Sequence, residues 1–239
     1  MNKKVALIPA RYAASRFPGK LMQLLGGRPV IVRTYEATVA TGLFDEVIVA
    51  TDSSMIFDAI TSFGGKAVMS KREHESGSDR IAEAAAGMDA SIILNVQGDT
   101  PFVKKAPLEK LLGLFDDPKV RVASLVQEIS NADDVNDPNF VKVAMDREMN
   151  ALFFSRSPIP YPRDKNTGAI YYEHIGVYAF RKEALMAFTS WPAGVLEATE
   201  KIECLRYLEN GVPIRMAIVD YMGVEIDTPE DLGRAEKLI

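Results

Sequence analysis

The chain has 239 residues, 47% of them hydrophobic and 26% charged, so it can form one domain with a substantial core. Its net charge of −5 argues against a broad nucleic-acid-binding surface. No apolar run reaches the roughly 18 residues of a membrane span, and the start lacks the apolar core of a signal peptide. These features predict a cytoplasmic protein that binds neither membranes nor nucleic acid. The single cysteine, Cys204, excludes an internal disulfide and is expected to pack on a helix face rather than act as a nucleophile.

Apolar runs alternate with amphipathic segments through the first half of the chain. This alternation is typical of a largely parallel, helix-flanked sheet in a Rossmann-like α/β fold. Strands are predicted at residues 5–8, 46–50, 66–69 and 91–96. Helices are predicted between Pro29 and Gly42 and over residues 53–63, where each amphipathic face would pack on the sheet.

The pattern changes after about residue 120 to shorter and more mixed strands. They are predicted at residues 120–127, 140–146, 151–155 and 174–180. We expect a single domain over residues 1–239 with a smaller antiparallel insertion, about residues 120–180, for acceptor binding or dimer contact. Helices at 182–190 and 195–209, a strand at 214–219 and a last helix capped by Thr228 should complete the fold.

The first strand leads into a short loop with three cations, Arg11, Arg16 and Lys20, among small residues. Open α/β sheets bind their ligands at this end of their strands. Small residues let backbone N–H groups approach phosphate oxygens, and the cations neutralise charge. Any one cation could be an ordinary surface residue, but together they predict a triphosphate-binding loop. The spacing is neither a Walker loop nor the dinucleotide-binding fingerprint.

Two carboxylates follow short apolar segments far apart in the chain. Asp99 ends the run NVQGD, and Asp227 lies in VEIDTP. Each has an ordinary interpretation, since Asp99 could form an Asx turn and Asp227 could cap a helix. If they converge, their oxygen atoms form a site suited to magnesium. Their separation in sequence does not decide between these interpretations.

The run IPARYAASRFPGK resembles the signature of the 3-deoxy-manno-octulosonate cytidylyltransferases, also called CMP-Kdo synthetases. The likeness extends over essentially the full length, through VATDSSMI, SGSDRIAEA, LNVQGDTPF, ALFFSRSPIPYPRD, HIGVYAFRKE and EIDTPEDL. It implies an enzyme that joins CTP to 3-deoxy-manno-octulosonate (Kdo), giving CMP-Kdo and pyrophosphate for lipopolysaccharide biosynthesis. It also implies Mg²⁺ as cofactor and a homodimer.

The resemblance assigns roles on the nucleotide side. Lys20, Asp99 and Asp227 are expected to be catalytic, with the two aspartates as magnesium ligands. The nucleotide is expected to contact Arg11, Arg16, Lys20, Gln97, Ser76, Gly77, Ser78 and Arg80. From the residues alone, Ser78 could instead cap a helix and Arg80 could be a surface cation. His74, just upstream, is interpreted as structural.

The resemblance places the sugar acid on Gln97, Arg156, His174, Tyr178 and Glu197. The planar guanidinium of Arg156 suits a carboxylate, and His174 and Tyr178 should share one face of a strand. As ordinary alternatives, His174 and Tyr178 could be core residues and Glu197 could pair with Lys201 one helical turn on.

The chain departs from the family pattern at Thr100, where a Glu is usual, and at Ala14, Leu21 and Cys204. Thr100 leaves open a related acceptor, such as an 8-amino Kdo analogue or a nonulosonate. A non-catalytic nucleotide-binding relative is a further alternative, against which the retained Asp99 and Asp227 weigh.

Overall fold

A computed structural model describes residues 3–13, 17–74, 76–164, 168–220 and 224–239. Arg16 therefore lies outside the described residues. The first half alternates strands with helices: β1 (Lys4–Ala10), β2 (Leu24–Leu25), β3 (Arg28–Pro29), α1 (Val30–Ala40), β4 (Glu46–Thr51), α2 (Ser54–Ser62), β5 (Ala67–Met69), α3 (Gly77–Ala85), β6 (Ile92–Asn95) and α4 (Lys105–Gly113). Each strand and helix predicted there is present, with ends shifted by at most two residues.

The second half mixes antiparallel strands with short helices. Its elements are β7 (Val122–Glu128), α5 (Ala132–Asn136), β8 (Lys142–Met145), β9 (Ala151–Ser155), β10 (Tyr172–Arg181), α6 (Lys182–Ser190), α7 (Val195–Glu200), α8 (Leu205–Glu209), β11 (Ile214–Ile218) and α9 (Pro229–Ala235). Among the described residues, no helix is long and apolar enough to cross a membrane.

The central sheet has the strand order β11-β7-β10-β6-β1-β4-β5. β1 lies parallel to both neighbours, β4 and β6, whereas β10 lies antiparallel to β6 and β7. Alternate side chains of β1 enter different cores: Ile8 packs into one hydrophobic cluster and Leu7 into the other. Helices cover both faces, which is why the strand reads as a continuous apolar run. The predicted largely parallel, helix-flanked mixed sheet is confirmed.

The antiparallel part is narrower than the expected insertion. β7 and β10 belong to the central sheet itself, and only β8 and β9 leave it, as a pair joined to β10. The ten-residue β10 is long enough to pair with β6, β7 and β8 in turn. A sequence pattern indicates where a strand lies but not which strands it pairs with. The predicted insertion over residues 120–180 is therefore wider than the β8–β9 pair that leaves the central sheet.

The helix predicted over residues 195–209 is wrong as a single element. It is divided into α7 and α8 because Lys201 adopts a left-handed conformation with φ of 55°. A lysine there costs backbone energy, so surrounding contacts must hold it. The Arg156 guanidinium supplies such contacts: it donates to the carbonyls of Glu200 and Lys201, which lie 44 and 45 residues further along the chain.

Candidate nucleotide-binding site

A cleft of about 240 Å³ opens at the carboxyl ends of β1 and β6. This is the edge at which parallel sheets bind ligands. The residues that line it are Pro9, Ala10, Arg11, Phe17, Lys20, Leu21, His74, Ser76, Gly77, Arg80, Gln97, Gly98, Asp99 and Asp227. The cleft thus brings together the cationic loop, the loop of Ser76 and Gly77 at the start of α3 (the serine loop), and both aspartates. These parts lie in four separate stretches of the sequence.

Lys20 joins the two aspartates. Its Nζ donates to Asp99 Oδ2 at 2.5 Å and to Asp227 Oδ1 at 2.7 Å. Burial would lower the pKa of Lys20, but the charges and hydrogen bonds of the two carboxylates outweigh it and raise the pKa above its ordinary value. Lys20 is therefore a fixed positive charge in the cleft. The carboxylates converge as the resemblance implied.

Asp227 is not the cap of the last helix. Thr228 caps α9, because its hydroxyl accepts from the backbone N–H of Asp231 and the Asp231 carboxylate accepts from the N–H of Thr228. This reciprocal arrangement leaves the Asp227 side chain directed to Lys20. The capping interpretation of Asp227 is wrong.

The acidic pair fits a divalent cation. Asp99 Oδ1 is buried without a hydrogen-bond partner, and such an oxygen is costly unless a cation or water satisfies it. Glu225, which the sequence analysis did not single out, stands beside the pair. Loss of solvation of its carboxylate, and then the negative charges of Asp99 and Asp227, raise the pKa of Glu225 to about 7. No group of three His, Cys, Asp or Glu side chains with ligand geometry occurs within the described ranges.

The serine loop approaches β1 closely. A Cβ on Gly77 would lie 3.3 Å from Cγ of Pro9, so glycine lets α3 begin against the strand end. Ser76 is the N-cap of α3 and accepts from the backbone N–H of Asp79, whereas Ser78 is buried in the first turn. Ser78 as the cap is therefore wrong. Ser78, expected to contact the nucleotide, is not among the residues that line the cleft. Gln97, which follows β6, lines it and donates to the Gly176 carbonyl at 3.2 Å.

Arg80 is not a surface cation. The residue is 4% exposed, and its guanidinium donates to Asp52 Oδ2 at 2.5 Å and to Ser70 Oγ at 2.7 Å. It lines the cleft while it joins α3 to the ends of β4 and β5. Its charge is paired with Asp52, as that of Lys20 is paired with Asp99 and Asp227. Arg11 is the third Arg or Lys that lines the cleft within the described residues.

Arg156 lies outside the residues that line the cleft. Its guanidinium donates to the carbonyls of Glu200 at 2.8 Å, Pro138 at 2.7 Å and Lys201 at 3.5 Å. Its backbone N–H also donates to the Glu200 carboxylate. In this arrangement Arg156 links β9 to the end of α7, and three of the five N–H donors of its guanidinium are bonded to backbone carbonyls. Its predicted role as receptor for the acceptor's carboxylate stays a prediction.

The other predicted acceptor residues are also engaged within the protein. His174 packs on Tyr178, with ring centroids 5.2 Å apart, so the two share a face of β10 as expected. Burial lowers the pKa of His174 to about 3, and its Nε2 lies 3.0 Å from Ser124 Oγ. Glu197 forms a two-pronged ion pair with Arg206, at 2.6 and 2.7 Å, and not the alternative pair with Lys201.

Cys204 is a buried packing residue, as expected. Burial raises the pKa of its thiol to about 12, which excludes a reactive thiolate at neutral pH. The thiol hydrogen-bonds with Tyr178. The adjacent Glu203, also missed from the sequence, lies close to Ser76 and Ser78, and its buried Oε1 has no hydrogen-bond partner. In the sequence, only the position of Glu203 next to Cys204 could have drawn attention to it.

Comparison with known proteins identifies the family. The family model for cytidylyltransferases matches residues 5–218. The chain belongs to this family. It is 58% identical to the 3-deoxy-manno-octulosonate cytidylyltransferase of Flavobacterium johnsoniae, over 99% of this chain and 98% of the relative. The same enzyme of Christiangramia forsetii is 55% identical over 100% of this chain and 97% of the relative.

Solved structures agree with this membership. A CMP:2-keto-3-deoxy-manno-octonic acid synthetase, solved as a complex with CTP, has a TM-score of 0.94 and 40% identity, covering 99% of this chain and 98% of the other. A 4-diphosphocytidyl-2C-methyl-D-erythritol synthase from Anaerococcus prevotii has a TM-score of 0.66 at 16% identity, over 99% and 98% of the two chains. The second likeness shows a shared fold alone. This cytidylyltransferase is a nucleotidyltransferase.

Proposed function

We propose that this cytidylyltransferase transfers the cytidylyl group of CTP to 3-deoxy-manno-octulosonate and releases pyrophosphate. One observation carries the proposal: a synthetase that binds CTP superimposes on nearly the whole chain, and the same fold here opens a cleft with cations and paired carboxylates. The names of the relatives supply the acceptor.

The reaction needs positioned charge more than a covalent nucleophile. The anomeric hydroxyl oxygen of the sugar acid attacks the α-phosphorus, the new C–O–P linkage forms as the bond to pyrophosphate breaks, and the hydroxyl proton leaves to solvent. Negative charge spreads over the phosphate oxygens during this exchange. Arg11 and Lys20 line the cleft and supply positive charge against it.

We include Mg²⁺ in the proposal, held by Asp99 and Asp227. The support is the orphaned Asp99 Oδ1 and the way both carboxylates already surround one cation, the Lys20 ammonium. Hard, charged oxygen ligands are those that magnesium prefers. A bound magnesium ion would neutralise phosphate charge and orient the triphosphate.

Pyrophosphate release is the direct test. The purified chain is supplied with Mg²⁺, each of four nucleoside triphosphates, and a panel of Kdo, an 8-amino Kdo analogue and a nonulosonate. We expect turnover with CTP and Kdo, with Lys20→Met as the inactive blank. Turnover with another sugar acid alone would change the assigned acceptor, and equal turnover with a purine triphosphate would contradict cytidylyl transfer.

Thr100 bears on the choice of acceptor only indirectly. Its buried hydroxyl donates to the Gln97 carbonyl at 2.5 Å, and so it bonds with the chain's own backbone.

We also propose that two copies of the chain pair in the cytoplasm. Sedimentation of the purified protein tests the pairing, since a species with the mass of one chain at assay concentration would contradict it.

A further inference from the structure

His74 is a wall of the cleft although it looked structural from the sequence. Its side chain is 2% exposed, yet it lines the cleft together with Ser76 and Gly77. The imidazole Nε2 lies 3.0 Å from Glu83 Oε2. Because the residue borders the cleft, its enclosed imidazole lies within one side chain's length of a ligand that enters there.

Glu83 fixes the segment that carries His74. Its Oε1 accepts from the backbone N–H of Lys71 at 2.7 Å, while Oε2 faces the imidazole. Glu83 is on α3, and Ser76, at the N-terminus of the same helix, lines the cleft. The Glu83 carboxylate therefore fixes both the backbone at Lys71, just before the serine loop, and the His74 imidazole relative to the cleft.

The contact with Glu83 sets the hydrogen-bonding character of the ring. A carboxylate only accepts, so Nε2 must carry the hydrogen that joins the two groups. In the neutral ring, Nδ1 is then an acceptor. Phosphate oxygens also accept and cannot pair with it. The nucleoside half of CTP, by contrast, offers ribose hydroxyls and the 4-amino group of cytosine as donors.

We propose that His74 accepts a hydrogen bond from the nucleoside half of CTP and that Glu83 is the positioning residue that orients its imidazole. The inference rests on the proposed function, because it places CTP in the cleft. It adds a residue to those expected from the family resemblance. A purely structural His74 would fasten the loop through Nε2 alone and would not respond to the nucleotide.

The chain's histidine content permits a direct measurement. His74 and His174 are its only histidines, and His174 is enclosed with Phe154 and Tyr178. Long-range proton–nitrogen NMR spectra of the intact protein distinguish acceptor from N–H nitrogens in each ring. We expect an acceptor-type Nδ1 in His74 that shifts toward the hydrogen-bonded value when CTP is added, while His174 changes little.

Two outcomes of this measurement would overturn the proposal. If calorimetry shows CTP bound while the His74 Nδ1 signal is unchanged, or if Nδ1 rather than Nε2 carries the hydrogen, the inference fails and cytidylyl transfer stands. If CTP does not bind, both fail. No catalytic turnover is needed for either reading.

Substitutions separate contact with CTP from loop support. His74→Ala should weaken CTP binding about tenfold, the usual worth of one well-formed hydrogen bond. His74→Asn places an amide oxygen as many bonds from Cα as Nδ1, so it should restore part of the affinity without reaching Glu83. Equal weakening by Ala and Asn would overturn the direct contact.

The positioning role needs its own variants. Glu83→Gln should weaken CTP binding about threefold and mix the two forms of the His74 ring, because one of its two accepting oxygens is lost. The matched control is Arg72→Ala, since Arg72 is exposed and only approaches Glu83 at 3.9 Å. It should leave CTP affinity unchanged. An unshifted His74 spectrum in Glu83→Gln would remove Glu83 from the proposal.

The donor on CTP is identified by two analogues. UTP lacks the 4-amino group and 2′-deoxy-CTP lacks one ribose hydroxyl. The wild-type protein should bind one of them less tightly than CTP, and His74→Ala should remove that difference. If His74→Ala preserves the discrimination against both, the contact does not lie on either donor and the proposal is overturned.

Discussion

The nucleotide side and the predicted acceptor side of this cytidylyltransferase differ in how far their polar groups are satisfied by the protein itself. In the cleft, Asp99 Oδ1 has no hydrogen-bond partner and Lys20 bridges two carboxylates. On the acceptor side, Arg156 donates to three backbone carbonyls and Glu197 is paired with Arg206. Residue type suggested a binding role in both places.

This contrast shows what a ligand would have to displace. A side chain with unused donors or acceptors gains hydrogen bonds when a ligand arrives. One that is already bonded must first lose bonds of similar free energy. On the nucleotide side, Asp99 Oδ1 is therefore ready to accept from a ligand or a cation, although Lys20 and Arg80 are bonded within the protein, whereas Arg156 and Glu197 support the backbone around α7 in this conformation.

The largest effect is expected from substitution of the two aspartates on the nucleotide side. Asp99→Asn or Asp227→Asn keeps the volume of the side chain but removes a charge and an accepting oxygen. We expect kcat to fall about a hundredfold or more, because several kcal/mol of stabilisation from a cation would be lost. The measurement is kcat across a magnesium titration, with the melting temperature recorded in parallel.

Asp58→Asn is the matched control, since Asp58 is exposed on α2 away from the cleft residues. It should change neither kcat nor the magnesium dependence. A fully active, magnesium-dependent Asp227→Asn protein would show that Asp227 does not act in the site.

A smaller effect is expected on the engaged side. Arg156→Lys keeps the charge but replaces a planar fork, so a single ammonium cannot reach the three carbonyls. We expect the free energy of unfolding to fall by about 1–3 kcal/mol. Denaturant unfolding measures this change, and the KM values for CTP and the sugar acid are measured on the same protein.

Arg147→Lys, at an exposed position, should leave the unfolding free energy unchanged. If Arg156→Lys instead raises the KM for the sugar acid and leaves stability intact, Arg156 binds the acceptor after a rearrangement. The difference between the two sides of the site would then hold only without substrate.

Sequence reasoning succeeded where local pattern decides the outcome. The apolar runs of β1 and β6 predicted two strands of a largely parallel sheet, and the rule that ligands bind at the carboxyl ends of such strands pointed to Lys20 and Asp99. The structure makes the two strands neighbours and brings the two side chains together. The capping signal at Thr228 was also local and correct. Convergence of Asp227 with Asp99 needed the family resemblance, because no local pattern carries it.

The remaining features depend on partners distant in the chain. The break at Lys201 follows a helical pattern that continues on both sides, and contacts with Arg156 accompany it. Glu197 pairs with Arg206 and not Lys201 because α7 ends between them. The place of His74 at the cleft depends on distant residues in the same way, since it arises only in the fold and its partner Glu83 lies nine residues on.

The smallest predicted effect links helix capping to the site. Thr228→Ala removes the hydroxyl that accepts from Asp231 N–H and donates to Asp231 Oδ2. The same Oδ2 accepts from the backbone N–H of Asp227, so the cap also holds the residue that faces Lys20. We expect a loss of about 1 kcal/mol in stability and a severalfold loss in kcat, measured by denaturant unfolding and pyrophosphate release.

Asn131→Ala separates the two parts of that effect, because Asn131 caps the short, exposed α5 by accepting from Asp133 N–H. It should reduce stability without changing kcat.

The loss of stability in Thr228→Ala should also depend on pH. Burial would raise the pKa of Asp231, but hydrogen bonds from Arg234 and Thr228 outweigh it and lower the pKa below 3.8. The stability from this carboxylate is therefore present above that value and lost as the pH falls through the lowered pKa. The stability difference between wild type and Thr228→Ala should shrink in acid, and a difference that stays constant with pH would mean that the Asp231 charge does not contribute to holding Asp227.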